Sequence, residues 1–217
     1  MIKISSVAFE ARNTLRSSGI PVSHAVGLEL AATLLGYGTY AALKHDPTID
    51  VDEMFAMANH VILQPATLAK RIQKLGLDES HAAVVNGAFV AAFREAAGGD
   101  EGACRFHASM ADFKDFIFED VQSRAFEDDD VGSAYAETNA YIDEFYTETY
   151  EFEPLVTADG EWTLVASGTH TGDIDSDRPY AGHAGNFTAT YTFQKEGRCG
   201  LVETDLQFGL DFDASYD

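Results

Sequence analysis

Apolar residues recur at helical spacing through the first half of the chain, and alternation takes over in the second. Val7, Ala8, Ala11 and Leu15 mark a first helix that Gly19 to Pro21 ends. Ser23 is an N-cap for "HAVGLELAATLL", in which Val26, Leu30 and Leu34 form one stripe ahead of a stop at Gly36. A short helix over "YAALKH" closes at Pro47. Asp50 and Glu53 have capping-box spacing, with Met54, Phe55, Met57 and Val61 as the apolar run behind them. Pro65 takes the first position of a helix over "ATLAKRIQKL", which Gly76 stops, and Asp78 caps "ESHAAVVNGAFVAAFREAA" up to Gly98-Gly99.

The glycine-rich "GGDEGA" then reads as a linker. Beyond it, "ASMADFKDFIFEDVQSRAF" aligns Met110, Phe113, Ile117 and Val121 on one helical face, and "EDDDVG" breaks the pattern. From Tyr141 onward Thr, Tyr, Phe and Val dominate. In "NFTATYTF", Phe187, Ala189, Tyr191 and Phe193 face one way while Thr188, Thr190 and Thr192 face the other, as in a half-buried antiparallel strand. The expected architecture is α+β: a helical domain over 1–97, a linker over 98–108, and an acidic domain over 109–217. That second domain holds an antiparallel sheet of about four strands, roughly 143–157, 161–172, 185–195 and 201–212, with a covering helix.

Charge changes this picture. The net charge is −22, and it is placed unevenly. Residues 1–108 hold 11 acidic and 9 basic residues, whereas 109–217 hold 25 and 5. Such a second half repels nucleic acid and membrane surfaces and attracts basic partners. No stretch is apolar enough to cross a membrane, and Glu10 and Arg12 interrupt any secretory signal. Cys104 and Cys199 then read as free thiols of a cytoplasmic protein.

The segment "PVSHAVGLELAATLLGYGTYAALK" resembles the small helical module near the N-terminus of bacterial glyoxalase-related proteins. The shared features are Ser23-His24, Leu28-Glu29-Leu30, Gly36-Tyr37 and Tyr40 to Leu43. That resemblance implies helix-turn-helix packing and, as one reading, a small glyoxalase-related metalloenzyme. The C-terminal half is similar to acidic β-domains of uncharacterised bacterial and plasmid-borne proteins.

Two stretches carry candidate chemistry. In "SGTHTGDIDSDRPYAGHAG", Asp173, Asp175 and Asp177 alternate like the first ligands of a calcium loop. Arg178 stands where an EF-hand needs glycine, and Ala184 where it needs glutamate. A looser divalent-metal site would use these aspartates with His170 or His183; otherwise the stretch, with Arg178 and Tyr180, is an ordered acidic loop for a partner. In "AETNAYIDEFYTETYEFEPLV", Asp143, Glu144, Glu148, Glu151 and Glu153 are interleaved with aromatic residues. They either protect a strand edge or imitate a phosphate backbone for a basic groove.

No metal-binding histidine spacing, nucleophile elbow or phosphate-binding glycine loop appears. A helix-turn-helix outline over 67–89 has no Lys or Arg on its second helix before Arg94, which argues against direct nucleic-acid binding. The expectation is a non-enzymatic binding or inhibitor protein. Its acidic half engages a basic protein surface and blocks a nucleic-acid-binding machine, as anti-CRISPR and other anti-defence proteins do. A metalloenzyme and an oligomerisation module are the alternatives, and no cofactor is required.

Overall fold

A computed structural model describes residues 2–47, 49–99, 104–174 and 182–213. The protein is α+β. Its helices are α1 (Ile4–Ser17), α2 (His24–Leu34), α3 (Tyr40–Lys44), α4 (Val51–Met57), α5 (Leu68–Lys74), α6 (Ala82–Ala97), α7 (Met110–Glu127) and α8 (Asp129–Thr138). Its strands are β1 (His60–Ile62), β2 (Arg105–His107), β3 (Ala140–Phe152), β4 (Glu161–Ile174), β5 (Ala184–Glu196) and β6 (Gly200–Phe212). The described sheet has six strands in the order β2-β1-β6-β5-β4-β3. It is mixed, because β1 runs parallel to β2 and antiparallel to β6.

The expected caps form. Ser23 accepts from the Val26 amide, Asp50 from Asp52 and Glu53, and Asp78 from Ser80. Each satisfies backbone donors that an open helix start leaves bare.

The expectation of an antiparallel sheet of about four strands is corrected to a mixed sheet of six: β3 to β6 fall on the long alternating stretches, and two short strands are added. Val61 belongs to β1 and not to the helix before it: α4 ends at Met57, and His60, Val61 and Ile62 are all buried. A three-residue strand buried on both faces has no alternation to show. β2 likewise falls inside the expected linker, in register with His60 to Ile62. α8 was hidden by "EDDDVG", where Asp128 caps a new helix by accepting from the Asp130 and Val131 amides.

The chain forms two compact units, and neither is a single run of sequence. One comprises Met1–Phe113, Pro154–Gly160 and Gln194–Val202; the other comprises Lys114–Glu153, Glu161–Phe193 and Glu203–Asp217. The first is built on a core of Leu15, Leu30, Leu34, Ile72, Phe89, Phe93 and Phe106. Within it α1 and α2 cross closely at Gly27, where a side chain would press on the Ala8 carbonyl at 3.2 Å. In the second unit, Phe145, Trp162, Phe187, Tyr191 and Phe193 are buried. There the Tyr191 hydroxyl donates to Asp120 of α7 at 2.9 Å, and Tyr150 donates to the Lys114 carbonyl.

Divided this way, the ratio of acidic to basic residues in the second part rises. The first unit carries 14 acidic and 11 basic residues, the second 22 and 3.

Candidate functional site

β3 lies at the end of the strand order, and no described strand pairs with its outer side. Its pairing with β4 slips twice, between Ile142 and Glu144 and again between Thr147 and Thr149. Each slip leaves one extra residue on β3, and both extra residues are acidic: Asp143 and Glu148. A bulge of this kind resets which side chains face inward. Burial follows the reset. Ala140 and Ile142 are covered, then Phe145 and Thr147, then Tyr150 and Phe152. The inward positions therefore repeat every five residues rather than every two.

β4 accommodates the slips with glycine. Gly172 stands opposite Ile142, and Gly168 stands opposite Thr147. A Cβ on Gly168 would lie 2.0 Å from the Tyr146 carbonyl oxygen, and one on Gly172 would lie 2.7 Å from that of Tyr141. Both approaches are too close for any side chain, so glycine is required there.

The two bulges leave Asp143, Glu144, Glu148, Glu151 and Glu153 exposed together. None takes part in an ion pair among the described residues, where the second unit's one such pair is Arg124 with Glu203 at 2.9 Å. The only other described cation there is Lys114, which lies over the Tyr150 and Phe152 rings. The Trp162 indole donates to the Glu153 carbonyl at 2.9 Å and fixes the end of the acidic row.

Asp173 is exposed near the end of β4, and His183 is half-buried just before β5. Asp175, Asp177, Arg178 and Tyr180 lie outside the described residues.

His170 is not in a loop. It sits within β4, only 1% exposed, packed against Phe145 and Phe212. Its Nε2 faces the Asp211 carbonyl at 3.2 Å, and its Nδ1 lies 2.6 Å from the Tyr135 hydroxyl. A carbonyl can only accept, so Nε2 carries a proton, and the single Tyr135 hydroxyl hydrogen lies between Nδ1 and the Thr171 carbonyl, 3.0 Å from the hydroxyl oxygen. Both nitrogens are thus engaged by protein atoms. Burial lowers the His170 pKa, opposed by the Asp211 carbonyl and the Asp213 and Asp211 carboxylates. Burial and the nearby Asp143 push the Tyr135 hydroxyl up to about 12. Among the described residues no cluster of three or more His, Cys, Asp or Glu could hold a metal ion.

A second histidine pair was not anticipated. His60 Nδ1 and His107 Nε2 lie 3.0 Å apart on β1 and β2, in contact with Phe113. Burial holds both down to about 3, with the Arg105 charge adding to the effect. Residues 47 positions apart show no spacing motif; only the parallel pairing of β1 and β2 brings them together.

Cys104 and Cys199 are free and buried, and burial raises both thiols to about 12. They are inert at neutral pH. No described helix is long and apolar enough to cross a membrane. No family model, curated protein or solved structure matches this chain.

Proposed function

We propose that this protein is a non-enzymatic binding protein whose acidic unit occupies a basic surface of a partner. In its sharper form the partner is a nucleic-acid-binding complex, and the carboxylates stand where phosphates would. The observation that carries the reading is the row Asp143, Glu144, Glu148, Glu151 and Glu153. Four are exposed on β3, whose outer side no described strand pairs, and Glu153 is exposed just past its end; none has a paired cation among the described residues. A row that two bulges leave exposed together, in a unit with 22 acidic and 3 basic residues, is a strong electrostatic attractor. Association through it is fast and weakens as salt screens the charges.

Affinity capture tests this. The tagged protein and its D143N/E144Q/E148Q/E151Q/E153Q variant are incubated with nuclease-treated bacterial lysate and washed at low and high salt. The reading requires a nucleic-acid-binding complex held by the unsubstituted protein at low salt, shed at high salt, and not held by the variant. Equal retention by both proteins would refute it.

A further inference from the structure

The first unit contains the opposite kind of surface. A cavity of about 260 Å³ is lined by Thr33, Gly36, Tyr37, Gly38, Thr67, Lys70, Arg71 and Lys74. Three of its eight lining residues are cationic, in a chain of net charge −22. A fourth cation adjoins it: the Arg198 guanidinium lies 4.8 Å from the centre of the Tyr37 ring and donates to the Gly36 carbonyl at 3.1 Å.

These charges are poorly neutralised. Lys70 and Lys74 stand four apart on α5, a spacing at which like charges repel. Neither has an ion pair among the described residues, and neither does Arg198. Arg71 is the exception, because its Nη2 is held by Glu29, whose same oxygen also accepts from the Tyr40 amide. That clamp fixes the guanidinium but leaves its Nε buried and without a hydrogen-bond partner.

The lining suits a small anion. Thr67 adds a hydroxyl-bearing side chain, the Thr33 hydroxyl is spent on the Glu29 carbonyl and Tyr37 on Asp46, and no carboxylate lines the cavity. The volume sits below the roughly 300–1,000 Å³ of pockets that take drug-sized ligands. We infer that Lys70, Arg71 and Lys74, supported by Arg198, form a binding site for a small phosphorylated ligand. Its phosphate is held by the charges of the two lysines and Arg71. This site is separate from the acidic strand edge and does not depend on the function proposed for it.

The test is isothermal titration of the full chain with inorganic phosphate and with pyrophosphate, at ionic strength held constant with chloride. The expected result is saturable binding at one site. K70Q/K74Q should weaken it at least tenfold, while R12Q/R16Q, which removes the same charge from α1, leaves it unchanged. Thermal melts of both variants confirm that they fold. Non-saturable heats, or equal weakening by the two double variants, would overturn the assignment and leave only a diffuse cationic surface. Saturation by pyrophosphate alone would support it and place two phosphoryl groups in the site.

Discussion

Gly168 and Gly172 connect sequence to site most tightly. Each faces a bulge on β3 at a distance no Cβ can share, so each is a requirement of the register rather than a weak point in a strand. Gly168→Ala must move backbone, not a flexible side-chain end. It should lower unfolding free energy by about 2 kcal/mol or more, the upper range of overpacking costs, as read by urea denaturation.

The buried histidine pair makes a second prediction at this scale. His60 and His107 are neutral in the fold at about 3 and near 6.5 when unfolded. Their native pKa values are depressed, so stability is full above the unfolded value and falls as pH drops from there toward 3. In that window each histidine costs about 1.4 kcal/mol per pH unit. Calorimetry should therefore show the pair contributing about two protons taken up on unfolding near pH 5 and none at pH 8. Replacing both with glutamine should abolish that contribution. A proton uptake unchanged in the variant would contradict the assignment.

At the level of elements, the helices were largely legible because their caps and glycine stops are local. Ser23, Asp50, Asp78 and Gly98 act on amides or carbonyls within a few positions of themselves. The long strands were legible from alternation, with their ends shifted by a few residues. β1 and β2 were not, since three buried residues carry no period and their pairing joins positions far apart in sequence.

β3 falls between these cases. The acids of "AYIDEFYTETYEF" stand out, but strict alternation cannot place them on one side of a strand. Five-residue periodicity in β3, set against glycines four apart in β4, is the signal that locates the bulges. Deleting Glu148 removes one bulge and leaves a regular alternation in which Thr147, Tyr150 and Phe152 still face inward, opposite the same β4 residues. Glu148→Gln keeps the bulge as well. Both variants should unfold cooperatively, the glutamine variant within about 0.5 kcal/mol of the parent; loss of cooperative unfolding in the deletion alone would show that the bulge itself sets the register.

On the scale of the whole molecule, the asymmetry of charge was plain from sequence, but its boundary was not. Segments 154–160 and 194–202 belong with the helical unit, and their removal concentrates acid in the other. The site was half legible. Asp143, Glu144, Glu148 and Glu151 are exposed along β3 and Glu153 just past it, whereas His170 is committed to Tyr135 and the Asp211 carbonyl, partners that arrive from other elements and leave no trace in local spacing.

The central claim is that the acidic row stands in for a phosphate backbone. Competition with duplex DNA for the captured partner tests it most directly, by titrating a labelled duplex off that partner with the full chain at two salt concentrations. The account predicts displacement by the unsubstituted protein at low salt, weakening as salt rises, and none by the variant lacking the five acids from Asp143 to Glu153. A ternary complex in which duplex and protein sit on the partner together, or displacement that survives loss of those acids, would contradict it.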